Sequence, residues 1–252
     1  MTGLDASLIL PRVSVSIVAL TLNEIAGVQA VLPRIDRGWA DQILVIDGGS
    51  TDGTTEWCRE HGYEVYVQKR PGIRFAYLEA LETMKGDLIV TLSPDGNCDP
   101  AFIPALVDKL NAGYDLVIAS RYLGAARSED DDLVTAFGNW LFTATVNVLY
   151  GASYSDVMVI YRAFPKRLIY TLDLDRDESY ALPERLFRTC ISWEPLMSVR
   201  AAKARVKIAE LGVGEPPRIG GKRKLQLVRW GAAYYFQFWR ELVYWSPRPS
   251  GS

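Results

Sequence analysis

Two acidic segments each follow a short apolar run, and both carry groups suited to binding a polar ligand. The first is Val45-Ile46-Asp47-Gly48-Gly49-Ser50-Thr51-Asp52-Gly53-Thr54. It ends a strand-like run in a carboxylate and continues through glycines into a helix start. An Asp at such a sheet edge accepts hydrogen bonds from ribose hydroxyls or a base N–H. The alternative is a strand-to-helix turn in which Gly supplies a positive φ and Ser50 caps the helix. The second segment is Leu92-Ser93-Pro94-Asp95-Gly96-Asn97-Cys98-Asp99-Pro100. Asp95 and Asn97 stand two apart, so their oxygens can converge on one hard cation. Mg²⁺ and Mn²⁺ take oxygen ligands and often bind through one or two protein groups plus substrate phosphates. The alternative is an Asp/Asn turn with Asp99-Pro100 opening a helix.

A third cluster is cationic. Arg218, Lys222, Arg223 and Lys224 surround Gly220-Gly221. Cations on a glycine-containing loop can cover a diphosphate or an acceptor phosphate; the alternative is a solvated basic loop. The rest of the composition excludes more than it suggests. The chain has 252 residues with 28 Lys+Arg against 30 Asp+Glu, a net charge of −2 that argues against a generally basic nucleic-acid binder. Its single His removes His-based triads and most zinc enzymes, and its three Cys show no metal-like pairing. No run approaches the roughly 18–20 apolar residues of a membrane span. The N-terminus lacks a basic region ahead of its apolar stretch, so the expected compartment is the cytoplasm.

These groups need elements to position them. Strand-like runs at Val13–Leu20, Gln42–Asp47, Glu64–Gln68, Asp87–Ser93 and Asp115–Ala119 alternate with helical segments at 25–32, 54–60, 75–84 and 101–110. Such alternation predicts an α/β fold with a mostly parallel sheet covered on both faces, whose ligands bind at the carboxyl ends of the strands. Thr21-Leu22-Asn23-Glu24 fits a capping box opening the first helix. Beyond the charged loop Arg127–Asp132, a long helix is expected over Leu133–Leu149. Further expectations are a strand at Val157–Tyr161, a helix at Glu194–Lys203, a strand at Val206–Ala209 and an aromatic helix at Leu225–Trp245. The expected division is a catalytic domain, 1–224, and a C-terminal aromatic helix with its tail, 225–252.

Taken together and in order, these motifs resemble the family 2 glycosyltransferases of the GT-A fold, within them the dolichol-phosphate mannose synthase-like branch. The resemblance runs from Val13 to about Leu225. It is carried by Thr21 to Glu24, Val45 to Thr54, Gly86 to Val90, Ser93 to Asn97, Ala119 to Gly124, Tyr154 to Phe164 and Pro217 to Leu225. It implies that Thr21, Asn23, Glu24 and Asp47, with Gly48 and Ser50, hold the nucleoside. It also implies that Asp95 and Asn97 hold Mg²⁺ or Mn²⁺, and that Arg218, Lys222 and Lys224 face the donor diphosphate. Ser93 stands where the family's metal motif has its first Asp, so the site has one carboxylate fewer. Arg121 is placed to face an acceptor phosphate, while Asp130, Asp131 and Asp132 stand where polyprenyl-phosphate synthases have another Arg.

The implied activity is inverting transfer of a sugar from a nucleoside-diphosphate sugar, UDP favoured over GDP, to a phosphorylated lipid or glycan acceptor. Glu194 and Asp156 are the candidates for a general base, which a hydroxyl acceptor requires and an ionised phosphate does not. The alternative is a catalytically silent nucleotide-sugar binding protein. The aromatic C-terminal helix suits packing against the catalytic domain, pairing with a second copy, or peripheral contact with the inner face of a membrane.

Overall fold

The computed structural model describes residues 13–220 and 227–248. The chain alternates β1 (Val15–Thr21), α1 (Ile25–Val31), β2 (Gln42–Asp47), α2 (Thr54–Glu60), β3 (Glu64–Val67), α3 (Ile73–Ala80), β4 (Leu88–Leu92), α4 (Ile103–Asn111) and β5 (Leu116–Ser120). Every residue of β1, β4 and β5 is buried, as continuous apolar runs require when helices cover both faces of a sheet. The second half adds α5 (Leu133–Tyr150), β6 (Arg162–Pro165), α6 (Arg167–Thr171), α7 (Glu178–Phe187), α8 (Glu194–Ala204), β7 (Ile208–Gly212) and α9 (Leu227–Tyr244).

The strands form one sheet in the order β3-β2-β1-β4-β6-β5-β7. All pairings are parallel except those of β6, which runs antiparallel to β4 and β5. Strand order reverses between β1 and β4, and a crevice opens at the carboxyl ends of strands at such a switch point. The register pairs Thr21 with Asp47 and Ala19 with Leu92, so the segments after β1, β2 and β4 emerge side by side.

Several local expectations change. The Thr21–Glu24 capping box does not form: Glu24 is the N-cap of α1 without a side-chain cap bond. The loop after β2 caps that helix instead, with Asp52 Oδ2 accepting from Ile25 N at 3.1 Å and Thr54 Oγ1 accepting from Glu24 N at 3.1 Å. A capping box does open α5, where Asp132 accepts from Thr135 N at 2.8 Å and Thr135 Oγ1 accepts from Asp132 N at 3.0 Å. Val157–Tyr161 is loop rather than strand, because the buried Arg162 guanidinium draws the Val157 and Val159 carbonyls to itself. The strand follows at Arg162–Pro165.

Helix α7, in a segment to which the sequence assigns no element, carries Pro183 inside it. Proline has no N–H for the carbonyl four residues earlier, which is Ser179. That carbonyl accepts instead from Arg240 Nη1 at 2.8 Å and Gln237 Nε2 at 3.3 Å, both on α9. Helix α9 is further joined to α8 by Arg200 and Glu241, an ion pair with both side chains fully buried. Ala233, Tyr234 and Phe238 complete its inner face, and Trp245 is buried just beyond its end.

Candidate active site

At the end of β1 and β2 the nucleoside candidates come together. Asp47 is fully buried and its carboxylate closes its own turn: Oδ1 accepts from Gly49 N at 2.9 Å and Ser50 N at 2.7 Å, and Oδ2 from Ser50 Oγ at 2.6 Å. Ser50 therefore serves Asp47, while α2 has Gly53 as its N-cap. Asn23, at φ 50°, donates from its N to Ser50 Oγ at 2.7 Å and accepts from Thr51 N at 2.7 Å. Gly48 N donates to the Thr21 carbonyl at 2.8 Å. The Thr21 hydroxyl is buried with no hydrogen-bond partner among the described residues. A buried hydroxyl in that condition favours a ligand that bonds to it.

At the end of β4, Asp95 is 4% exposed and Asn97 N donates to its Oδ1 at 3.2 Å. Helix α1 lies so close that a Cβ on Gly27 would be 2.3 Å from the Pro94 carbonyl oxygen, which fixes the turn carrying Asp95. Arg218 Nη1 lies 2.8 Å from Asp95 Oδ2 and 3.6 Å from Glu24 Oε1. Lys222 and Lys224 lie outside the described residues. Among the described residues no group of three or more His, Cys, Asp or Glu side chains is arranged to hold a metal. The donor set nonetheless fits a cation completed by phosphate oxygens: the Asp95 carboxylate, and two residues on the buried Asn97 Oδ1, which has no hydrogen-bond partner among the described residues. Ser93 lines the same cavity with a neutral hydroxyl.

That cavity, of about 550 Å³, runs from Ser93, Asp95, Asn97 and Arg218 past Arg121 and Glu194 to an apolar wall of Val134, Phe137 and Phe142 from α5 and Trp230 from α9. Glu194 opens α8, is 2% exposed, and accepts from Tyr77 Oη at 2.7 Å. Tyr77 in turn stacks on Trp193 at 4.2 Å between ring centroids. Arg121 is held by Asp156, with Nε to Oδ2 at 2.7 Å and Nη2 to Oδ1 at 3.0 Å. Asp156 is fully buried. Burial pushes its carboxyl up, but the Arg121 charge and hydrogen bonds outweigh burial and hold it below the usual carboxylate range. A saturated carboxylate of that kind is a poor proton acceptor. Asp156 thus departs from the base expected of it and acts as the support of Arg121.

Two carboxylates of this region escaped the sequence reading. Glu210 accepts from the backbone of Ser155 and Asp156, and so sets the loop that carries Asp156. Glu215 lines the cavity 3.7 Å from Arg121 Nη1, and burial raises its carboxyl more than Arg121 and Ser128 lower it. Neither has a local motif. Both act through β7 and its following loop, which only the fold brings beside β5.

A model of the family described as glycosyl transferase family 2 matches residues 16–170. Among the relatives, glycosyltransferase AglJ of Haloferax volcanii is 28% identical over 230 residues, covering 90% of this chain and 71% of the relative. The undecaprenyl-phosphate mannosyltransferase of Micrococcus luteus is 27% identical over 229 residues, covering 84% and 92%. Among solved structures, glucosyl-3-phosphoglycerate synthase from Mycobacterium tuberculosis, in complex with Mn²⁺, UDP and phosphoglyceric acid, matches with a TM-score of 0.63. It is 23% identical, with 94% of this chain and 81% of that chain covered. That likeness concerns the fold, and the sheet order with its crevice agrees with GT-A architecture. The family match spans the strands and turns that build the crevice, from β1 through β6: the chain belongs to glycosyl transferase family 2 and is a glycosyltransferase of GT-A fold.

Proposed function

We propose that the protein transfers a sugar, with inversion, from a nucleoside-diphosphate sugar to an acceptor that enters along the apolar wall of the cavity. The observation that carries this is the convergence of the Thr21–Glu24, Asp47–Ser50 and Ser93–Asn97 segments at the β1/β4 switch point, the last of which lines the cavity with Arg121 and Glu194. The nucleoside lies against Thr21, Asn23, Glu24, Asp47, Gly48 and Ser50, with UDP preferred to GDP. Arg218, Lys222 and Lys224 serve the diphosphate. Asp95 and Asn97 hold a divalent cation, Mg²⁺ or Mn²⁺, which when bound neutralises charge on the departing diphosphate.

In the transfer the acceptor oxygen forms a bond to the anomeric carbon while the bond to the diphosphate oxygen breaks, and that electron pair leaves with the nucleotide. The acceptor is a phosphorylated lipid or glycan. The mannosyltransferase relative is named for an undecaprenyl-phosphate substrate, and the cavity joins a charged end to an apolar wall. An ionised phosphate attacks without losing a proton, and Arg121 orients it. A hydroxyl acceptor is the second reading, supported by Glu194 on the cavity wall, where its carboxylate would take the proton.

The outer face of α5 supports delivery from a lipid surface. Leu133, Phe137, Trp140 and Val148 follow helical spacing and are 90%, 61%, 62% and 82% exposed. Phe137 also lines the cavity, so the apolar stripe reaches the cavity mouth. A bilayer interface fits that arrangement, because a second copy seated there would cover the mouth. The exposed Trp239, Leu242 and Val243 extend apolar surface onto α9. Among the described residues no helix is long and apolar enough to cross a membrane. The proposed place of action is peripheral, on the cytoplasmic face.

The test is a screen of UDP- and GDP-sugars with Mg²⁺ or Mn²⁺, with polyprenyl phosphates and alkyl glycosides in detergent as acceptors, reading nucleotide release and glycosylated product. Product with a polyprenyl phosphate supports the first reading, and product with the alkyl glycoside alone supports the second. Nucleotide-sugar binding without turnover of any donor contradicts both.

A further inference from the structure

The loop after β7 is fastened to the Asp95 turn by side chain and backbone together. Ile219 N donates to the Asp95 carbonyl at 2.7 Å, and Arg218 Nη1 lies 2.8 Å from Asp95 Oδ2. Gly96, at φ 97°, leaves room for Ile219: a Cβ there would lie 2.6 Å from Ile219 Cγ1. The guanidinium of Arg218 therefore stands between the carboxylates of Asp95 and Glu24, which are 4% and 7% exposed. Away from bulk water, carboxylates held near one another demand a cation between them. The oxygen that Arg218 takes is on the carboxylate a divalent cation would use. A guanidinium and a divalent cation cannot share it closely, since their charges repel.

Resting on the reading that a diphosphate binds here, we infer that Arg218 and the divalent cation hold Asp95 in alternation. Arg218 is the counter-cation of Asp95 in the nucleotide-free protein, and moves onto the diphosphate when nucleotide and cation enter together. Two consequences follow. Free cation binds poorly until nucleotide draws Arg218 away, and the protein retains affinity for a nucleoside diphosphate without any cation because Arg218 supplies positive charge. Ser93 strengthens the arrangement, since a hydroxyl in place of a carboxylate leaves the cation with less to set against Arg218.

The experiment uses the full chain as wild type, Arg218→Ala, Arg218→Lys and Asp95→Asn, each checked for folding by circular dichroism. Free Mn²⁺ is followed by electron paramagnetic resonance without nucleotide, and UDP and GDP binding by calorimetry in EDTA and in Mn²⁺. The expected results are Mn²⁺ binding at least tenfold tighter in Arg218→Ala than in wild type, and weak Mn²⁺ binding in Asp95→Asn. In EDTA, Arg218→Ala loses at least tenfold in nucleotide affinity, while Arg218→Lys loses much less. Equal Mn²⁺ affinity in wild type and Arg218→Ala overturns the inference, as does unchanged nucleotide affinity in EDTA. The Mn²⁺ arm needs no nucleotide, so it reports on Arg218 even if wild type binds neither UDP nor GDP, a result that would contradict the glycosyltransferase reading of the crevice instead.

Discussion

Arg121 and Asp156 meet through two parallel hydrogen bonds, Nε to Oδ2 at 2.7 Å and Nη2 to Oδ1 at 3.0 Å, in a place where Asp156 is fully buried. Asp156 also accepts from Met158 N and Val159 N, at 3.1 and 3.2 Å. The pair thus fixes Arg121 at the cavity and the start of the 157–161 loop at once. Replacing Asp156 removes both short bonds and leaves Arg121 with Glu215, 3.7 Å from Nη1, as its remaining carboxylate. Asp156→Asn is expected to lower unfolding free energy by roughly 1.5–3 kcal/mol in urea denaturation. An unchanged midpoint would show that the pair is dispensable.

The same pair sets an acid limit. The folded-state carboxyl of Asp156 titrates below its unfolded value, so the stability it contributes is complete above the ordinary Asp value of about 3.9 and is lost as pH falls through the folded value. Between about pH 5 and pH 2 the wild type should lose more stability than Asp156→Asn, as read by denaturation midpoints across that range. Parallel losses would place the acid sensitivity elsewhere.

Glu194 separates the two acceptor readings. With a hydroxyl acceptor, Glu194→Gln is expected to lower kcat by roughly 100-fold or more, since a positioned base contributes about 10²–10⁴. With an ionised phosphate acceptor the same variant keeps kcat within a few-fold. Tyr77→Phe, which removes the donor 2.7 Å from Glu194 Oε1, controls for mere displacement of the carboxylate. A loss of the same size with both acceptors would show that Glu194 is structural.

The Ser179 carbonyl, freed by Pro183, offers a test of how α9 is joined to the rest. Arg240→Met keeps an apolar stem and removes the donor at 2.8 Å, with an expected loss of about 1–3 kcal/mol in stability. In a Pro183→Ala background the residue 183 N–H can bond Ser179, so the loss on Arg240→Met should shrink. Equal losses in the two backgrounds would mean that the Arg240 contribution lies outside that carbonyl.

The first half of the fold was legible because β1, β2, β4 and β5 are nearly continuous buried runs closed by polar turns, and Gln42–Asp47 was bounded correctly to the residue. The crevice was legible for the same reason, its acidic segments being local and placed at strand ends. What escaped depends on distant partners. Val157–Tyr161 has the composition of a strand, yet its Val157 and Val159 carbonyls go to Arg162, a charge that local pattern gives no reason to bury. Helix α7 contains Pro183, and the carbonyl that Pro183 leaves open is met by Gln237 and Arg240 on a later helix. Asp156 reads from the sequence equally as a base or as the partner of an Arg, and only the end of β5, which places Arg121 against it, decides between them. Glu215 and the Arg218–Asp95 contact likewise require the loop after β7 to return across the sheet edge.

A nucleoside diphosphate seated at the carboxyl ends of β1, β2 and β4 must lie within reach of Asp95. Calorimetry of UDP and GDP in Mn²⁺, with folded wild type and folded Asp95→Ala, measures this most directly. Wild type should bind at least one of the two, and Asp95→Ala should bind it at least tenfold more weakly, a difference of about 1.4 kcal/mol. No binding of either nucleotide to wild type, or equal binding by both proteins, would contradict the assignment of the donor site to this crevice.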